Sequence, residues 1–288
     1  MTGAQPTLAR LLGSWSVEPG LIALLSITAG SYLCGVRRAR RSWPMWRTTS
    51  FLAGLFVLAL ALLSGIDQYA DELLSVHMTQ HLLLVLVAPA LLLWGAPVRL
   101  ALAGCRSRGR AVLGGVLSSR AVRTLARPFV GFTMFSLAVL ATHLTGLFEL
   151  ALEHPLAHAL EHAVYFWAGV LLLAPLIGTD PLPHRPGPVG GFCWLMGGMV
   201  AMAVPGALLT FAPTVRYAFY LKPARALGRS ALADQHLAGA IMWVGGGILM
   251  FALALGVAMS AMLAEERRQQ RRELHSERAA ASSGALEA

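Results

Sequence analysis

Long apolar runs recur along the chain, broken by short polar stretches. Crossing a hydrocarbon layer about 30 Å thick takes about 20 helical residues. Seven runs meet that length, at about 20–36, 49–66, 73–94, 128–150, 155–177, 189–211 and 234–263. They predict an all-α integral membrane bundle of seven transmembrane helices. Pro155 suits the first turn of the fifth span, and Pro89 is expected to kink the third near its inner end. Residues 1–17 read as a flexible or interfacial N-terminal tail, in which Arg10 and two leucines make a poor secretory signal. Residues 18–264 form the seven-span membrane domain, without an internal repeat. Residues 265–288 are charged, then rich in alanine and serine, and are expected to fray as a disordered cytoplasmic tail.

Composition agrees with this pattern. Of 288 residues 56% are hydrophobic and only 13% charged, with a mean hydropathy of +0.63. Soluble domains carry roughly 25% charged residues. A net charge of +9 in a soluble protein would suggest nucleic acid, but here the arginines fall in loops, where topology explains them. Arg37, Arg38, Arg40, Arg41 and Arg47, interleaved with Trp43 and Trp46, read as cytoplasmic. So do the seven arginines of residues 95–127. Asp67, Asp71 and Glu72 read as an outer loop. The N-terminus is therefore expected outside and the C-terminus in the cytoplasm, with the protein multi-pass among membrane lipids. Parity places loop 212–235 outside despite Arg216, Lys222, Arg225 and Arg229, and in a scaffold reading that loop would be the docking surface. Lys222 is the only lysine and lies in that loop, which excludes a retinal-type Schiff base inside a helix. Cys34, Cys105 and Cys193 form no CxxC pair and read as structural thiols.

The chemistry lies in the histidines. Seven of nine fall at the outer ends of four spans: His77 and His81, then His143, then His154, His158 and His162, then His236. His184 and His275 fall on the cytoplasmic side. Spacings of four residues place His77 with His81, and His158 with His162, on one helical face. Polar side chains inside a membrane point to function. Candidate metal ligands are therefore His77, His81, His143, His158, His162 and His236. Gln80, Glu161, Asp234 and Gln235 stand beside them, where they could orient the rings by hydrogen bonding. His154 reads as solvent-facing, and Met78 and Met202 as packing rather than thioether ligands. With no cysteine in this layer, zinc-thiolate and iron–sulfur sites are disfavoured. Imidazole alone suits copper, zinc, iron and haem.

The runs from His77 through Gln80-His81 to Pro89, and Leu93-Trp-Gly-Ala-Pro97, resemble the multi-span CtaG family of assembly factors for caa3-type cytochrome c oxidases. His158-Ala-Leu-Glu161-His162 with Gly169, and Asp234-Gln235-x-x-Ala238-Gly239-x-x-Met242-Trp243, extend the likeness from Leu73 to Trp243. The resemblance implies a seven-span, non-enzymatic protein of the bacterial plasma membrane that helps mature cytochrome c oxidase by handling copper ion on the outer face. His77, His81, His158, His162 and Asp234 stand at its motif positions, and His236 stands where the family pattern does not call for histidine. Implied partners are cytochrome c oxidase subunits and an extracytoplasmic copper chaperone, with no nucleic acid. The alternatives are a membrane haem-binding protein or oxidoreductase, a copper transporter and a structural scaffold. Against stacked haems stands the lack of histidine in the inner halves of the spans. Against a pore stand the nearly all-apolar stretches 82–94 and 164–173.

Overall fold

The structure, a computed structural model, describes residues 7–39, 43–177 and 180–287. Arg40 and Arg41 of the first basic run, residues 1–6 of the tail and the side chain of His275 lie outside the described residues. The described chain is helical, with an isolated bridge between Trp15 and Ser64 and no strand. Six helices are long and apolar enough to cross a membrane, or seven if a bent pair counts as one. Counted that way, the spans are Pro19–Arg38, Met45–Leu63, Leu74–Gly104, the pair Pro128–Leu144 and Leu147–Glu153, Pro155–Ile177, Val189–Thr210 and Ala231–Ser260. The orientation of the termini remains an expectation.

The third span does not simply kink at Pro89. Residues Leu83–Val87 widen into a π turn. Proline lacks an N–H, and its ring collides with the carbonyl four residues earlier, here Val85. The widened turn moves that carbonyl aside, against Gly169 of the fifth span, where a Cβ would overlap it. A second π turn, Ile241–Gly245, follows the Asp234-Gln235 segment of the seventh span. Just before it, Gly239 packs so closely on the Gly206 carbonyl and Thr210 that a Cβ there would collide with both. The motif glycines are thus points of backbone contact between spans.

The fourth span departs from the expected straight run to residue 150. It turns by 75° between Leu144 and Leu147. Thr145 ends the first helix: its hydroxyl donates to the Ala141 carbonyl at 2.6 Å and accepts from the Leu147 N–H at 3.3 Å. The turn folds Phe148 into the core, where it is fully buried. The seventh span continues as helix to Glu287, through the segment whose composition predicts fraying. At the N-terminus Leu8–Gly13 is helical, and the Ser16 N–H donates to the Leu63 carbonyl.

Hydrogen bonds that tie helix ends to one another and to loops define two ends of the bundle. At one end Tyr32 donates to the Gly95 carbonyl, and Asp180 accepts from the Arg99 N–H. At the other, Ser75 donates to Asp234 and Tyr220 to the Ala70 carbonyl. The main core joins the third, fourth, fifth, sixth and seventh spans through residues such as Leu82, Phe135, Leu172, Leu195 and Met250. The first two spans form a second cluster around Tyr32, Phe51 and Leu55, which packs on Leu92 and Leu100 of the third span.

Candidate metal centre

One helical turn of the third span carries both His77 and His81, and their rings point into the bundle. Their Nε2 atoms lie 2.9 Å apart. The fifth span brings a second such turn to face it. His158 and His162 have ring centres 4.2 Å apart, and His158 stacks 5.2 Å from His77. His162 lies 5.8 Å from His81. Among the described residues two groups converge closely enough to hold an ion, His77 with His158 and His162, and His77 with His81 and Glu161. Within each group the potential ligand atoms lie within 4.8 Å of one another.

Neighbours fix the protonation of the central ring. Tyr220 has a single O–H, which donates to the Ala70 carbonyl at 3.1 Å. It therefore accepts from His77 Nδ1–H at 3.0 Å, and the proton of neutral His77 sits on Nδ1. His77 Nε2 then presents a bare lone pair to His81 Nε2. At 2.9 Å either His81 Nε2 carries its own ring proton and donates it to His77, or both lone pairs are open to a cation.

Several buried polar atoms around this point have no protein partner: His81 Nδ1, His158 Nε2, His162 Nε2 and both oxygens of Glu161. Glu161 Oε1 stands 3.9 Å from His81 Nε2. Leaving one buried polar group unsatisfied costs about 1–3 kcal/mol. Five such atoms within a single set of neighbouring rings fit an ion-binding site better than a packed core. Imidazole nitrogen with one carboxylate suits copper, zinc or iron.

The remaining sequence-predicted residues divide. His143 lies beside the cluster, its ring 6.4 Å from that of His81. The structure does not bring His236 into either group; its Nε2 donates to the Ala212 carbonyl at 2.9 Å. Gln235 likewise braces the following loop, accepting from the Arg216 N–H at 2.6 Å and donating to the Thr214 carbonyl at 3.1 Å. Asp234 accepts from the Ser75 hydroxyl at 2.5 Å and from its N–H at 3.2 Å, clamping the seventh span to the start of the third. Gln80 points away from the rings, to the Ala61 carbonyl and Asp67, each at 2.8 Å. His154 is exposed. Glu161 is thus the one of these four polar neighbours that stands where a ligand would.

Sequence reasoning missed the roof of the site. Tyr217 donates to the His143 carbonyl at 3.3 Å, while Tyr220 holds His77. Both come from loop 212–235, whose charge ran against the topology. Phe148, turned inward by the bend, stands edge-on to His77 and His81. A signal was present for the tyrosines: two of the chain's 5 fall in that short loop.

The family profile described as cytochrome c oxidase caa3 assembly factor (Caa3_CtaG) matches residues 30–264. Curated relatives include a Mycobacterium bovis protein named as uncharacterised, 32% identical over 251 residues, and one from Mycobacterium leprae, 30% identical over 250. Each match covers 83% of this chain and 38% of the relative, so the chain spans less than half the length of the curated relatives it matches. No solved structure matches it. This membrane protein belongs to the caa3-type cytochrome c oxidase assembly-factor family.

Proposed function

We propose that this family member binds copper in the His77, His81, His158, His162 and Glu161 cluster and passes it on during oxidase maturation, without catalysing a reaction. The observation that carries this reading is the set of buried, unpartnered donor atoms converging on His77. The chain's arginine pattern supports placing the histidine end outside the cytoplasm, with the N-terminus outside and the C-terminus inside. Copper would then exchange with an extracytoplasmic chaperone or an oxidase subunit. Imidazole and carboxylate without thiolate favour release, since a cargo ion has to leave again. Residues 18–264 act as one membrane domain in this reading.

The packing speaks for an ion over a haem. Bis-histidine ligation places a porphyrin between two rings on different helices, yet His77 and His158, which face each other across the third and fifth spans, stack directly with 5.2 Å between ring centres. Metal analysis of the purified protein before and after copper loading tests the proposal. A bound equivalent that disappears when His77 and His81 are both replaced by alanine supports it. Metal bound at the wild-type ratio by that double variant, or a Soret band in the purified protein, overturns it.

A further inference from the structure

His143 and Met78 make a contact that the histidine cluster does not use. Met78 Sδ, on the third span, lies 3.4 Å from His143 Nε2, on the fourth. Both side chains are buried, at 1% and 2% exposure. The tautomer of His143 is fixed from its other nitrogen. Nδ1 lies 3.0 Å from the Val139 carbonyl, which only accepts, so Nδ1 carries the proton. The Tyr165 hydroxyl, 3.2 Å away, accepts from the same N–H. A doubly protonated ring would be a cation in the apolar core with no acid paired to it. His143 Nε2 is therefore a bare lone pair aimed at a thioether sulfur, which has lone pairs of its own. Nothing about packing calls for that arrangement.

It is the arrangement of two ligands. Bonds of about 2.0–2.1 Å to nitrogen and about 2.3 Å to sulfur at a tetrahedral angle set the two donors about 3.5 Å apart. The ring is also held ready: Phe148 stacks on it at 5.6 Å with planes 15° apart. Thioether with imidazole is a softer set than the imidazole–carboxylate group next door, and soft ligands select monovalent copper. Among the cluster histidines, His81 stands nearest, and its Nδ1 has no partner.

We infer that Met78 Sδ and His143 Nε2 form a second, softer metal station for monovalent copper, with His81 as the member of the histidine cluster nearest to it. This rests on the copper reading above. Selenomethionine-labelled full-length protein in detergent is loaded anaerobically with monovalent copper and read in two ways. Competition with a chromogenic chelator gives affinity, and X-ray absorption at the selenium edge detects copper bonded to selenium. The chain has 11 methionines, so the signal is read as the difference from Met78→Leu. Wild type should show the copper neighbour. Met78→Leu should lose it and bind monovalent copper at least about tenfold more weakly, while zinc still occupies the histidine cluster. If Met78→Leu does not fold, His143→Gln, which keeps the sulfur, supplies the same difference. Unchanged copper affinity in the variant, with no copper at selenium in wild type, overturns the second station and leaves the cluster standing. Failure of wild type to bind copper in either oxidation state overturns the function proposed above and this inference with it.

Discussion

The two ends of the bundle both bury polar groups, and they treat them differently. At the arginine end, Asp180 accepts the Arg99 N–H at 2.7 Å and so caps the helix Pro97–Gly104. The Arg185 guanidinium donates to the Asp180 backbone carbonyl, Trp43 to the Tyr32 hydroxyl, and Ser50 to the Leu91 carbonyl. Among the described residues, two buried side-chain atoms there lack a hydrogen-bond partner, Arg47 Nη1 and Thr48 Oγ1, and they are a donor and a hydroxyl rather than a converging set. At the histidine end five acceptor-capable atoms are left open around one ring. One end uses its polar atoms to join helices. The other holds lone pairs in reserve. Buried polarity therefore marks function here only where it is unpaired and convergent.

Removing His77 and His81 together should have the largest effect. Metal content should fall to background and oxidase maturation should fail, while membrane insertion stays intact. Metal analysis and oxidase activity of the host membrane check this. Asp234→Ala comes next. It removes two charge-assisted hydrogen bonds to Ser75, each worth about 1.5–3 kcal/mol. A lower melting temperature in detergent, together with weaker metal binding, is the expected result.

Tyr220→Phe removes a single oxygen, yet that oxygen sets the His77 tautomer. Partners of this kind cost roughly 10–100-fold in metal affinity when lost. Affinity should drop in that range, with a stability loss of only about 1 kcal/mol. Equal losses in Tyr220→Phe and in an unrelated roof variant would show that the tyrosine merely packs.

Asp180→Asn should have the smallest effect and should leave metal content untouched. Burial raises the Asp180 pKa, and the N–H groups of Arg99 and Val98 oppose this. A carboxyl whose folded pKa lies above its unfolded value contributes stability at pH below the unfolded value, and loses it as pH rises through the folded one. Wild type should therefore lose some stability over that acid window, and Asp180→Asn should flatten the loss. Melting curves across acid to neutral pH check it. A change in metal content in this variant would end the contrast between the two ends.

Much of this was legible in the sequence, for reasons that concern single segments. Bilayer thickness fixes span length, so most spans were visible within a few residues, although the third runs on past Trp94 to Gly104 and the fourth is a bent pair. Four-residue spacing fixes a helical face, so the pairing of His77 with His81 and of His158 with His162 was set before any folding. The glycines and Pro89 stood in the motifs without a visible cause.

What tertiary structure decided is where each polar atom finds its partner. His143 and His236 look alike along the chain, each at the end of a span. One meets the Met78 sulfur and the other the Ala212 carbonyl. Gln80 and Glu161 each neighbour a ligand in sequence, yet Gln80 turns to Ala61 and Asp67 while Glu161 faces His81. Sequence determines which face of a helix a residue occupies. Which neighbour that face meets depends on how separate helices are rotated and bent against one another, and here the Thr145 bend and the two π turns set that rotation.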